Sequence, residues 1–164
     1  MELLGVRLEL PANAPVVLLR EQTGERRVLP IYIDSPEAKA IALALEGREP
    51  PRPLTHDLLR DVVAALGATV TRVTVTELRD GIFYAELVLD VGGRPQVLSS
   101  RPSDAVALAV RTGAPIFASA SVLDEAATVP EVDDEAEEVE EEEIIDEFRD
   151  FIDQVNPEDF GAGP

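Results

Sequence analysis

Apolar and polar residues alternate over two stretches of the chain, and the alternation predicts two groups of β-strands. The first group is Leu4 to Leu10, Pro15 to Arg20 and Arg27 to Ile33, with Asn13 in the first turn. The second is Val70 to Leu78, the residues after the hairpin signal Asp80-Gly81, and Gln96 to Ser99 after Gly92-Gly93. Each group predicts a mainly antiparallel sheet.

Two uninterrupted apolar blocks follow these groups. Ala40-Ile-Ala-Leu-Ala-Leu45 is repeated sixty-five positions later as Ala105-Val-Ala-Leu-Ala-Val110; each copy is entered through a Pro (Pro36, Pro102) and left through a Gly (Gly47, Gly113). Alternation with Ala also fits a strand, but Ala is the strongest helix former and a poor strand residue. We therefore predict two buried helices, the first over about 36 to 46 with Ser35 as its cap, and a duplicated unit of three strands and one helix.

Further elements surround these units. After the proline-rich connector 48–53, Thr55-His56-Asp57 opens a helix whose apolar face is expected to cover the sheet; that face carries Leu58, Leu59, Val62, Val63 and Leu66. A short strand over 114–117 and a short helix over 121–127 complete the pattern. The predicted class is α/β of the α+β type, with mixed, mainly antiparallel sheets and covering helices.

The pattern changes after this point and predicts four segments. Residues 1–128 form the domain, 129–143 an acidic linker, 144–156 an amphipathic C-terminal helix and 157–164 a tail. The helix is indicated by one apolar stripe, which consists of Ile144, Ile145, Phe148, Phe151, Ile152 and Val155. An acidic C-terminal tail thus follows the domain.

The charge of the chain is distributed unevenly between the domain and the C-terminal segment. The net charge is −19, but residues 131–164 hold 16 acidic residues against Arg149 alone, so residues 1–130 carry only −4. Nearly all the bases of the domain are Arg, which binds phosphate and carboxylate as a fork. The absence of Cys excludes disulfides and thiolate nucleophiles. With no apolar run long enough to span a bilayer and no signal-like start, we expect a cytoplasmic protein without membrane contact.

Three polar groups at helix starts are candidates for chemistry. Arg101-Pro-Ser-Asp104 places Ser103 and Asp104 where free helix amides could bind an anion. His56 can move a proton near neutral pH and is followed by Asp57, while Glu37 lies in the first turn of the earlier helix. Carboxylates from separate helix starts could hold Mg²⁺ or Mn²⁺. Helix capping explains each residue as well, and both interpretations remain open at this point.

Other chemistries lack their motifs. The chain has no phosphate-binding Gly-x-x-x-x-Gly-Lys loop, no Gly-x-Gly-x-x-Gly, no Gly-x-Ser-x-Gly elbow and no His pair for zinc. These absences argue against the common nucleotide-binding and hydrolase signatures.

Three segments together resemble the bifunctional nuclease domain family: Arg52-Pro-Leu-Thr-His-Asp-Leu58, Asp80-Gly-Ile-Phe-Tyr-Ala-Glu86 and Ser100-Arg-Pro-Ser-Asp-Ala-Val-Ala-Leu-Ala109. The resemblance covers about residues 1–127. It implies a compact α/β domain, hydrolysis of DNA and RNA, and self-association, so that nucleic acid and a homo-oligomer such as a dimer are the expected partners.

The resemblance also assigns a set of site residues, to which we attach roles. The expected catalytic residues are Glu37, His56, Asp57 and Asp104; the substrate-binding ones are Arg52, Thr55, Arg101 and Ser103. Among these, Glu37, Asp57 and Asp104 are expected to bind a divalent metal, Mg²⁺ or Mn²⁺. His56 would carry a proton, and the two Arg side chains would clamp phosphate.

Two functions compete at this stage. The first is a metal-assisted nuclease that cleaves DNA, RNA or both. The alternative is a non-catalytic binding or regulatory protein whose acidic tail recruits a basic partner, or folds back over the domain itself.

Overall fold

The computed structural model describes residues 1–130, and its first three strands form one antiparallel sheet. These are β1 (Glu2–Glu9), β2 (Ala14–Arg20) and β3 (Val28–Tyr32), paired in the order β1-β2-β3. The first connection turns at Asn13, whose φ of 49° is a left-handed conformation that Asn tolerates well. The three strands expected from the alternation are confirmed, with shifts of one or two residues at their ends.

The second sheet has four strands. β4 (Ala68–Arg79), β5 (Ile82–Val91) and β6 (Arg94–Ser100) are antiparallel, and the short β7 (Ile116–Ala118) pairs with β4 in parallel. The order is β6-β5-β4-β7. Both Asp80 and Gly81 have positive φ, 52° and 76°, as the tight turn of a two-residue hairpin requires. The hairpin signal is confirmed, and β6 lies at one edge.

The two apolar blocks are helical, as their alanine content predicted. The four helices of the described residues are α1 (Ser35–Leu45), α2 (Thr55–Ala65), α3 (Pro102–Thr112) and α4 (Ala120–Ala126). α1 and α3 contact each other, and their buried side chains join those of both sheets in one core. The α+β class with two mainly antiparallel sheets is thereby confirmed. Three strands followed by a helix occur twice in the element order, while descent from a duplication stays a prediction.

The start of α1 lies one residue earlier than the sequence indicates. Asp34 is the N-cap, and Ser35 is already helical, because the Ala38 amide donates to the carbonyl of Asp34. Neither Asp34 in α1 nor Arg101, the N-cap of α3, supplies a side-chain capping bond. Both helices therefore begin with first-turn amides that their N-cap side chains do not satisfy.

The apolar face of α2 does not cover the sheet, which corrects the expectation from its amphipathic pattern. Leu58, Leu59, Val62 and Leu66 are 57%, 39%, 45% and 75% exposed, and the buried residue of this helix is His56. Val63 is the one residue of this predicted face that packs against the core, because α3 already packs on β4 and β5, and the polar first turn of α2 bonds to α3. An apolar helix face is left in solvent.

The end of the described chain pairs with β3 of the first sheet. Thr128 and Val28 exchange backbone hydrogen bonds of 2.7 and 2.9 Å, so the domain extends at least to residue 128. The acidic linker from residue 131 onward, the predicted helix 144–156 and the tail 157–164 lie outside the described residues. None of the helices within residues 1–130 has the length and apolar character that a membrane crossing needs.

Candidate functional site

The start of α3 is built by a strand end and a proline. β6 ends at Ser100, Arg101 keeps an extended backbone, and Pro102 fixes the first helical turn. Asp104 does not turn back to cap the helix, since both of its oxygens bind side chains. Capping therefore does not explain Asp104.

Arg101 joins two carboxylates from different helices. Its Nε donates to Asp104 Oδ2 at 2.7 Å, and its Nη2 donates both to Asp104 Oδ1 at 3.0 Å and to Glu37 Oε1 at 2.7 Å. These bonds, to Asp104 foremost, raise the pKa of Arg101 above its ordinary value. The second oxygen of Glu37 is buried and has no partner among residues 1–130. Glu37 thus faces the α3 start rather than the amides of its own helix.

His56 completes the network from α2. Its Nε2 lies 3.0 Å from Asp104 Oδ1, and the residue is only 7% exposed. An ionised carboxylate can only accept, so Nε2 donates and the proton on this nitrogen is held by Asp104. The network Glu37–Arg101–Asp104–His56 thereby ties the starts of three helices together.

Opposing effects set the charge of Asp104. Burial raises the pKa of its carboxyl group, but the hydrogen bonds from Arg101 and His56 outweigh burial and hold the pKa below the ordinary 3.8. Asp104 is therefore ionised at neutral pH and accepts the hydrogen bond from Nε2 of His56.

Asp57 belongs to a second, separate ion pair. Its Oδ1 accepts from Arg111 Nε at 2.6 Å, and its Oδ2 accepts from the Leu54 amide at 2.9 Å. Arg111 also donates to the carbonyl oxygens of Ala40 and Ala107, and its side chain is only 4% exposed. Burial raises the pKa of Asp57, and these donors reverse the effect and lower it overall. The arrangement favours a structural role for Asp57.

Arg111 was not foreseen from the sequence. It lies in the last turn of α3, where a base commonly interacts with the helix dipole, and this position made it look ordinary. A charged residue inside a predicted buried helix was nevertheless a signal that a buried partner exists.

The remaining predicted residues, Arg52, Thr55 and Ser103, do not join the network. Arg52 and Thr55 are exposed just before and at the start of α2. Ser103 is only 7% exposed, and its hydroxyl has no partner among residues 1–130. In the described part of the chain, no hydrogen bond or ion pair explains why these three side chains occur where they do.

As arranged, the three carboxylates do not form a metal site. Asp57 is bound to Arg111, whereas Glu37 and Asp104 share Arg101. Within residues 1–130 no group of three or more His, Asp or Glu side chains is placed to hold a metal ion. A cation would have to displace Arg101 from Glu37 and Asp104.

A cavity of about 350 Å³ adjoins the network. It lies between β3, the β4–β5 turn and the start of α3, and its lining residues are Ile31, Tyr32, Ile33, Asp34, Gly81, Ile82, Phe83, Arg101, Pro102 and Ser103. Arg101 therefore belongs to the network and to the cavity wall. The N-caps of α1 and α3 both line this one cavity.

Comparisons with known proteins agree with the motifs. A family model described as "Bifunctional nuclease domain" matches residues 17–131, which include the whole network. A protein of Mycobacterium tuberculosis strain H37Rv, named only as uncharacterized, is similar to this chain, with 47% identity over 164 residues, 99% of this chain and 98% of that protein.

Plant proteins are similar over a shorter stretch. Bifunctional nuclease 2 of Arabidopsis thaliana is 32% identical over 112 residues, 65% of this chain and 34% of that protein. Bifunctional nuclease 1 of Oryza sativa subsp. indica is 28% identical over 114 residues, 66% of this chain. The matched stretch spans about a third of the length of these plant relatives.

Proposed function

Since this chain belongs to the bifunctional nuclease domain family, we propose that it hydrolyses phosphodiester bonds of DNA, RNA or both at the network Glu37–Arg101–Asp104–His56. The observation that carries the proposal is the 3.0 Å contact of the single histidine with Asp104, a carboxylate that is itself held by an arginine. An imidazole oriented by an ionised acid is the arrangement of a proton-transfer site.

In this proposal His56 transfers a proton and Asp104 orients and stabilises the imidazole ring. Asp104 keeps one proton on Nε2, which leaves Nδ1 of the ring as the nitrogen that exchanges a proton. A water molecule attacks the phosphorus and gives its proton to Nδ1, while the bond to the leaving oxygen breaks and that oxygen takes a proton from solvent. Asp104 stabilises the imidazolium that forms.

Arg101 supplies the positive charge next to this step. Its Nη1 has no partner within residues 1–130, so it can donate to a phosphate oxygen while Nε and Nη2 stay on Asp104 and Glu37. Arg52 and Thr55, exposed at the start of α2, add contacts to the backbone of the substrate. Assistance by Mg²⁺ or Mn²⁺ stays a prediction, and no step is assigned to a metal.

The partners and location remain proposals from the sequence. Nucleic acid is the substrate, a homo-oligomer such as a dimer is the assembly, and the cytoplasm is the location. Residues 131–164, with their charge of −15, would bind a basic partner or the Arg side chains of the domain itself.

A cleavage assay on the full chain tests the activity. We expect cleavage of single-stranded DNA or RNA, measured with and without Mn²⁺, and a loss of about 100-fold or more in the His56→Ala, Asp104→Asn double variant. Asp124→Asn is the matched control, since it removes an Arg–Asp pair of 2.8 Å with Arg27 away from the network. Equal cleavage by the double variant and the native protein would refute the assignment.

A second function is favoured by the charge balance at Arg101. Two carboxylates already surround this arginine, and His56 is buried, which are features of a structural tether as much as of a reactive site. On this basis the domain would be a non-catalytic binding or regulatory protein. Binding of DNA or RNA without cleavage, or retention of a specific basic partner by residues 131–160, would select this alternative.

A further inference from the structure

The cavity beside Arg101 has two chemically different parts. Ile82 and Phe83 line it with apolar side chains next to the β4–β5 turn, whereas Arg101 and Ser103 line it with polar side chains at the start of α3. A volume of about 350 Å³ lies within the usual range of small-molecule sites. One heterocyclic ring with an attached anionic group matches this division.

The polar side can receive an anion. Arg101, the N-cap of this 11-residue helix, makes no side-chain capping bond, and Pro102 has no amide hydrogen, so the amides of Ser103 and Asp104 are the first-turn donors that can bind a ligand. A second and independent observation is Ser103, which is only 7% exposed, lines the cavity and has a hydroxyl without a partner among residues 1–130. A hydroxyl at the cavity wall that has no partner in the described fold is free to donate a hydrogen bond to an anion.

Charge alone would not hold a ligand here. Arg101 is compensated by Glu37 and Asp104, and Asp34 adds a carboxylate to the cavity wall. A free phosphate would consequently gain little. Apolar contact with Ile82 and Phe83 must supply part of the binding energy, since a base can stack on the aromatic ring of Phe83.

We propose that this cavity binds one unpaired nucleotide, with its base against Ile82 and Phe83 and its phosphate at Ser103 and Arg101. The inference rests on the proposed nuclease function, because it places one nucleotide of the substrate beside the network. A base inside a duplex is stacked and paired, and so it cannot enter a cavity walled by three elements. The domain therefore selects single-stranded over double-stranded nucleic acid.

Binding of small probes to the full chain tests the cavity without any cleavage. NMR titration compares uridine monophosphate, adenosine monophosphate, ribose 5-phosphate and inorganic phosphate. We expect the two nucleotides to shift the amide signals of Gly81 and Ser103 but not that of Gly93, which lies at the opposite end of β5. Ribose 5-phosphate and phosphate should bind at least fivefold more weakly.

Two variants and one control test whether nucleotide binding depends on the residues that line the cavity. Ile82→Ser and Ser103→Ala should each weaken nucleotide binding about fivefold or more, while Val97→Ser should not. Ile82 and Val97 are 58% and 56% exposed on the same sheet, so the control matches in size and exposure but lies outside the cavity. Near-native thermal unfolding of all three variants excludes misfolding as the cause.

The outcomes separate this inference from the proposed activity. Nucleotide binding that Ile82→Ser weakens supports the cavity assignment even if the protein cleaves nothing, in which case the nuclease proposal fails. Cleavage without nucleotide binding at Gly81 and Ser103, or equal affinity for ribose 5-phosphate and uridine monophosphate, overturns the cavity assignment and leaves the nuclease proposal standing.

Discussion

His56 Nε2 lies 3.0 Å from Asp104 Oδ1, across 48 positions of sequence. This contact joins the start of α2 to the start of α3, and Asp57, the next residue of α2, binds Arg111 in the last turn of α3. Two polar contacts thus hold a helix whose apolar face points to solvent. The His56–Asp104 contact includes the only histidine of the chain, whereas both side chains of the Asp57–Arg111 pair are largely buried. They separate a candidate reactive pair from a candidate structural pair.

The acid stability of the domain should depend on Asp104. Its pKa is lower in the folded protein than the ordinary 3.8, so the unfolded chain binds a proton more readily as the pH falls. The stabilisation by this carboxylate is complete above pH 3.8 and is lost as the pH decreases through the folded-state pKa. Asp104→Asn should therefore show a shallower loss of stability between about pH 4.5 and pH 2.5 in urea unfolding.

Asp61→Asn is the control for this measurement, because Asp61 lies half exposed on α2 and its one partner in the described residues is the neighbouring Arg60. Parallel stability curves for the native protein and Asp104→Asn over the whole acid range would contradict the prediction.

The Asp57–Arg111 pair should contribute to stability and not to chemistry. Asp57→Ala leaves the side chain of Arg111, 4% exposed, without its carboxylate, and breaking such a pair costs about 3–5 kcal/mol. Chemical denaturation measures this loss. Activity per folded molecule, assayed at low temperature, should stay within about twofold of the native value, and a loss of activity without a loss of stability would return Asp57 to the catalytic residues.

The double variant Asp57→Leu, Arg111→Met provides a further check, since a well-packed apolar pair often replaces a buried ion pair without loss. We expect it to be more stable than Asp57→Ala.

Local signals predicted the elements of this fold well. Asp80-Gly81 fixed a hairpin because positive φ at both positions is a local property of the chain, and Ala-rich blocks indicated α1 and α3 for the same kind of reason. The sequence of strands and helices followed from these signals.

Contacts between residues that are distant in the sequence were harder to predict. The starts of the helices pointed to Glu37, His56 and Asp104, but their shared contact with Arg101 or with each other depends on how α1, α2 and α3 pack. The prediction that the apolar face of α2 covers the sheet was wrong for a related reason. Periodicity shows that a helix has an apolar face, but it does not show what covers that face. Arg111 remained hidden since its partner, Asp57, lies 54 residues away.

The exposed face of α2 is a candidate for the interface of a homo-oligomer. Leu58 and Leu66 lie on it with more than half of their surface in solvent, and burial of such residues is worth about 1.5–3 kcal/mol each. We expect Leu58→Glu, Leu66→Glu to shift the native protein from oligomer to monomer in light scattering coupled to gel filtration, with little change in unfolding temperature. If Val97→Glu on β6 dissociates the protein and the α2 variant does not, the interface lies at the sheet edge instead.

Competition between Arg101 and a metal ion makes the metal proposal testable. Glu37 Oε1 and Asp104 Oδ1 both lie within 3.0 Å of one nitrogen of Arg101, so a cation that uses these oxygens must displace the arginine. Arg101→Gln should consequently bind Mn²⁺ more tightly than the native protein in calorimetric titration, by about tenfold or more. Addition of Glu37→Gln to that variant should cancel the gain. Equal Mn²⁺ affinity in the native protein and Arg101→Gln would exclude this pair of carboxylates as the metal site.

The acidic segment should weaken the binding of nucleic acid to the domain. Deletion of residues 131–164 removes −15 of the −19 net charge, and it keeps both sheets, α1 and α3, which share one core. The shortened protein should bind a single-stranded oligonucleotide more tightly than the full chain at low salt, with the difference shrinking as salt rises and screens the repulsion. Fluorescence anisotropy across a salt series measures both effects. A shortened chain with the same affinity and the same salt dependence as the full chain would show that the segment does not act on the domain at all, because neither direct contact with the Arg side chains nor long-range repulsion of the ligand could then be present.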